Sequence, residues 1–166
     1  TISEKLLVRH RSNVVAVRVV QPGLLGAPHD VLLPLPGRPA ESPAILTFVQ
    51  WLAPGIGRLH ILRTIQVGHG AFRRLTQQQL SKFRRDGFRS AQDIENGLIE
   101  KTVLTDRMID TGVRVTDDWT RDTIIHASRH KSQLICLEAP LPAPTARLFR
   151  ADPIERLLAD APCDVA

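Results

Sequence analysis

The two ends of this 166-residue chain carry the same short pattern. Residues 1–15 read Thr-Ile-Ser-Glu-Lys-Leu-Leu-Val-Arg-His-Arg-Ser-Asn-Val-Val, and residues 152–166 read Asp-Pro-Ile-Glu-Arg-Leu-Leu-Ala-Asp-Ala-Pro-Cys-Asp-Val-Ala. Glu4 and Glu155, Leu6 and Leu157, Leu7 and Leu158, Ser12 and Cys163, and Val14 and Val165 each stand 151 positions apart. Thr1 with Glu4, and Asp152 with Glu155, form capping-box pairs, and Pro153 occupies a first helical position, where its missing N–H costs nothing. Ile154, Leu157, Leu158 and Ala161 follow at helical spacing. In the first copy a β-branched run, Val14 to Val20, comes next, so the unit is a short helix feeding a buried strand. A period of about 150 residues is too long for a solenoid and fits a whole α/β domain. The expected organisation is the last helix and strand of a preceding domain at 1–20, a Pro- and Gly-bearing linker at 21–29, and a second domain at 30–166.

Between the repeats, strand-like and helix-like segments alternate. Val31-Leu32-Leu33 is an all-apolar run of the kind a strand buried on both faces shows, and Pro34-Leu35-Pro36-Gly37-Arg38-Pro39 is predicted to break it. A helix is predicted over Ser42–Ala53, with Ile45, Phe48, Val49 and Leu52 on one face, then a strand over Leu59–Val67. Residues 68–90 are assigned no element. A long helix is expected over Ala91–Asp110, ended by Gly112 as a left-handed cap, followed by a short strand at Val113–Val115. Asp117, Asp118 or Thr120 can cap a helix running to about His130. Gln133–Leu137 reads as a central strand, 138–151 as a connection, and 152–161 as the closing helix.

This order predicts an α/β fold: a doubly wound, five-stranded parallel sheet with right-handed crossovers. The ligand crevice of such a sheet lies at the carboxyl ends of its strands. That places Pro34, Pro36, Gly37 and Arg38, Val67 to His69, and Glu138 to Pro140 on the rim.

The opening Asp30-Val-Leu-Leu-Pro-Leu-Pro-Gly, the helix after it, and the Glu-Arg-Leu-Leu…Ala-Pro-Cys-Asp-Val ending resemble the universal stress protein family. The resemblance covers residues 30–166 as one nearly complete domain and implies that family's Rossmann-like fold. Residues 1–20 are similar to the tail of a preceding copy, as in tandem members or in domain pairs appended to membrane transporters. Nucleotide-binding members carry an Asp just after the first strand and Gly-x2-Gly-x9-Gly-Ser/Thr after the fourth. Pro36 stands at the Asp position, and 138–152 contains no glycine while Pro140, Pro142 and Pro144 lack N–H donors. Glycine lets backbone approach phosphate, whereas proline removes the donor. The resemblance thus implies a regulatory or assembly module without the usual ATP loop, in the cytoplasm or on the cytosolic face of a membrane protein. ATP or another adenine nucleotide would need a different loop. The family also implies pairing with another copy through the last strand, which points to Val14, Val15, Ala16, Val17, Val19 and Val165 as edge residues.

No Gly-x-Ser-x-Gly elbow or P-loop is present, and no residue reads as catalytic. Cys136 and Cys163 fall in apolar runs and read as core thiols; Asp164 beside Cys163 disfavours a thiolate. His126 and His130 lie four apart on a predicted helix and could share a metal, but no third ligand stands at ligand spacing, so they read as surface histidines and no metal is expected. Arg73, Arg74, Lys82, Arg84, Arg85 and Arg89 interleave with Phe72, Phe83 and Phe88. That stretch suits single-stranded nucleic acid, or else an amphipathic helix with its aromatics on the sheet. The helical spacing of Phe72, Leu75, Leu80 and Phe83 favours the second reading, so no specific nucleic-acid partner is expected. The net charge of +5 permits acidic partners without demanding them.

Overall fold

The computed structural model describes residues 17–20, 28–36, 43–137 and 153–166. Within them, strands and helices alternate along the chain: β1 (Asp30–Pro36), α1 (Pro43–Leu52), β2 (Arg58–Gln66), α2 (Gln77–Lys101), β3 (Ile109–Thr116), α3 (Trp119–His130), β4 (Leu134–Ile135), α4 (Pro153–Asp160) and β5 (Asp164–Val165). All five strands are parallel, in the order β3-β2-β1-β4-β5, which bears out the expected doubly wound α/β sheet. Side chains alternate across the sheet. Val31, Leu33, Leu59 and Ile61 meet Ile45 and Val49 of α1 and Ala91 and Leu98 of α2 on one face. On the other face, Leu32, Leu62 and Ile135 meet Trp119 and Ala127 of α3 and Leu157 of α4.

β1 does not stop at Pro34. It runs to Pro36, pairing with β2 from Asp30↔Arg58 to Pro36↔Thr64. The prolines fit because of their parity. The His29 carbonyl accepts from Gly57 and Arg58 on the β2 side, whereas the Asp30 and Leu32 carbonyls accept from Gln133 and Cys136 on the β4 side. Pro34 and Pro36 share the parity of Leu32, so their missing donors face β4 and leave the β2 ladder intact. The β1–β4 ladder is correspondingly short, ending at Leu32↔Ile135.

α2 also differs from expectation. It begins at Gln77, not Ala91, where Thr76 and Gln79 form a reciprocal capping box, and it ends at Lys101. Gly112 is not a helix cap; it lies inside β3, opposite Leu62. The glycine that matters for packing is Gly87. A Cβ there would lie 2.8 Å from both Ile65 Cδ1 and Val113 Cγ1, so its absence lets α2 come close to β2 and β3. α3 begins as predicted, with the Asp118 carboxylate accepting from the Arg121 N–H, and ends at Lys131 in the left-handed conformation (φ 52°). Among the described residues no helix is long and apolar enough to cross a membrane.

The outer edge of β5 is met by residues 17–20. Arg18 and Val165 exchange antiparallel backbone hydrogen bonds of 2.7 and 3.0 Å, and Val20 N–H donates to the buried Asp164 carboxylate at 2.6 Å. Val17 and Val19 remain exposed, while Val165 is buried. Val14, Val15 and Ala16, the helix expected in the first repeat, most of the linker, Gly37, Arg38 and Glu138 lie outside the described residues.

Candidate functional site

At the carboxyl ends of the strands, the crevice rim is built partly from prolines. Pro34 is buried and Pro36 half-buried. The Val67 N–H is taken up by the Thr116 carbonyl at 2.8 Å, and beyond it His69 Nδ1 meets the Asp117 carboxylate. One cation reaches inward: Arg63 of β2 is buried, and its Nη1 donates to the Leu35 and Thr64 carbonyls at 2.7 and 2.8 Å. Its Nε has no partner, and burial lowers its pKa. Asp118 anchors the start of α3 to α4 through a 2.6 Å contact with Arg156. Desolvation pushes its carboxyl upward, but the Arg121 N–H and Arg156 outweigh it and hold the pKa below the ordinary value.

The opposite, amino-terminal end of the sheet carries a different constellation. His60 is the third residue of β2, and Asp110 of β3 stands beside it in register. His60 Nδ1 lies 3.2 Å from Asp110 Oδ2, while His60 Nε2 is buried without a hydrogen-bond partner. His126 and His130 descend onto it from α3. Their ring centroids are 4.2 Å apart, and those of His60 and His130 are also 4.2 Å apart. Gly112 of β3 lies beneath the His126 ring, where a Cβ would make an ordinary 3.9 Å contact with His126 Cε1. Burial, with His130 and His60 as neighbours, lowers the His126 pKa to about 4; burial and His130 also lower that of His60, against the pull of Asp110.

The sequence pair His126–His130 therefore does not sit on the surface without a third ligand: both rings are half-buried, and His60 completes a group of three. His60 lies far away in sequence, and only the parallel pairing of β2 with β3 under α3 brings it there. Its one local signal was a histidine inside the otherwise apolar Leu59-His60-Ile61-Leu62 run.

The basic stretch is only partly as expected. Arg73, Arg74, Lys82, Arg84, Arg85 and Arg89 all face water, but Phe72 and Phe88 are exposed and only Phe83 is half-buried. The first turns of α2 run past the sheet, and its buried residues begin at Gly87. Cys136 and Cys163 are buried free thiols. Desolvation raises their pKa values to about 12 and about 11, with Asp164 adding to the second.

No family model and no curated protein matches the chain. Solved structures do. The crystal structure of a hypothetical protein, PH0823, superimposes with a TM-score of 0.61 at 16% identity, covering 82% of this chain and 92% of that one. A universal stress protein in complex with cAMP superimposes with a TM-score of 0.57 at 17% identity, covering 84% of this chain and 95% of that one. With the strand order above, this likeness establishes that the chain has the fold of the universal stress proteins.

Proposed function

We propose that this chain is a universal-stress-protein-like regulatory or assembly domain that acts through protein contacts, without catalysis and without ATP in the family's usual loop. The observation that carries this reading is Pro36, which closes β1 where the resemblance calls for an Asp. A proline ring offers neither a carboxylate for a ribose or metal-bridged phosphate nor an N–H for phosphate oxygen. The glycine-free sequence at 138–152 supports the same conclusion. The partner is another copy of the domain, or a membrane transporter of which the chain forms the cytosolic part. The exposed Val17, Val19 and Val20 beside β5 offer an apolar contact surface for it.

Calorimetric titration with ATP, together with sedimentation of the protein alone, tests this. No saturable ATP binding and a concentration-dependent dimer are expected. Stoichiometric ATP binding overturns it, and a monomer at every concentration rules out pairing with another copy. Because one structural neighbour is a cAMP complex, and because Arg63 is a buried cation near the crevice, a second reading is a small-nucleotide sensor. Thermal shift with cAMP tests that: a ligand at about a hundred times its Kd adds about 2.7 kcal/mol of stability.

A further inference from the structure

We propose that His60, His126 and His130 form a binding site for a divalent transition-metal ion of the zinc type, with Asp110 orienting His60. One ring nitrogen from each histidine lies within 4.8 Å of the other two. Tetrahedral zinc with Zn–N bonds of 2.0–2.1 Å needs nitrogens roughly 3.3 Å apart, a closure that small rotations of the two α3 rings provide. Those two rings come from positions i and i+4 of one helix, the spacing that puts two side chains on one face.

His60 fixes the polarity of the site. Its Nδ1 faces Asp110 Oδ2 at 3.2 Å, so the proton belongs there, and the lone pair belongs on Nε2. That Nε2 is the buried atom with no partner, on a side chain only 2% exposed. A carboxylate on the far nitrogen of a ligating histidine is the arrangement that holds the ring and raises its basicity. Ring stacking alone leaves Nε2 unsatisfied, which is costly for a buried polar atom; a metal ion satisfies it. Three neutral imidazoles without a thiolate or oxygen ligand suit zinc, copper, nickel or cobalt rather than magnesium or calcium. The half-buried position of His126 and His130 leaves a fourth coordination position for water. The site lies at the opposite end of the strands from the nucleotide-type crevice and does not depend on the function proposed above.

Untagged full-length protein, stripped with a chelator, is titrated with Zn2+ by calorimetry and with Co2+ by visible absorption. One high-affinity equivalent and the intense visible bands of tetrahedral Co2+ are expected. Asp110→Asn should weaken binding about 10–100-fold while keeping the Co2+ spectrum. H126Q combined with H130Q, both on the accessible side of the cluster, should abolish binding and the bands, whereas H29Q combined with H69Q, both exposed, should change neither. No Zn2+ binding by the wild-type chain, or binding that survives H126Q/H130Q, overturns the proposal.

Discussion

The two faces of the sheet are covered by helices of similar kind, yet they are built differently. Beneath α1 and α2 the interior is apolar from Val31 to Cys136, with Arg63 buried near the carboxyl end of β2 and Asp164, which takes the Val20 N–H, buried at the β5 edge. Beneath α3 and α4 the apolar cluster draws on β1, β4 and β5 but takes only Leu62 from β2, and the β2–β3 side carries His60, His126 and His130 together with buried Thr64, Thr116 and Thr123. The first face pays the entropic cost of folding through burial; the second trades part of that burial for polar groups aimed at one another. Stability and ligand chemistry are thus separated by the alternation of side chains along β2, where Leu59 and Ile61 point one way and His60 the other.

This contrast is open to attack from either side. Leu98 of α2 is fully buried in the apolar face. Leu98→Ala should cost about 2–5 kcal/mol, read as a lowered urea midpoint with unchanged slope. On the other face, His60→Leu should act in the opposite direction in metal-free protein. It removes a buried unpartnered nitrogen and leaves Asp110 with its side chain 60% exposed, so a gain of about 1–2 kcal/mol is expected in the same assay. A loss as large as that of Leu98→Ala would show that the cluster is ordinary core.

The polar face should also respond to acid. Unfolded His126 takes up a proton at its ordinary pKa of 6.5, whereas in the folded chain burial, with His130, His60 and Arg114 beside it and Asp110 opposing, lets it do so only at about 4. The unfolded state therefore holds more protons in that window. The His126 contribution to stability is complete above 6.5 and is lost as pH falls toward 4. Urea midpoints of metal-free protein across this range should fall, and His126→Gln should flatten the slope. The smallest effect belongs to Thr76→Ala at the protruding start of α2. Losing this cap is worth about 1 kcal/mol locally, and it should appear as faster amide exchange at residues 77–80 with little change in global stability.

What the sequence revealed follows the same division. β2, β4, β5, α1, α3 and α4 were legible because their signals are local: apolar runs, helical spacing, Asp118 as a cap, Pro153 at a first turn; β3 instead begins at Ile109, inside the stretch expected to be helix to Asp110. Pro34 and Pro36 misled because a proline is compatible with a strand when its missing donor faces the weaker ladder, and that parity depends on the neighbouring strands. The start of α2 was obscured by a polar surface with little periodicity, although Thr76-x-x-Gln79 was present to be read. Gly112 suggested a cap but lies within β3, opposite Leu62. Of the three histidines, the i,i+4 pair was visible and His60 was not, because sequence gives spacing along one helix but not which strand lies beneath it.

The short pairing of Arg18 with Val165 has a mechanical consequence. The two segments run in opposite directions, so residue 17 and Ala166 leave the sheet from the same end of that pair. Tension applied between them loads the backbone bonds one after another, as in opening a zipper, rather than shearing them together. A pull transmitted along the chain would therefore release this border segment well before it disturbed the central sheet.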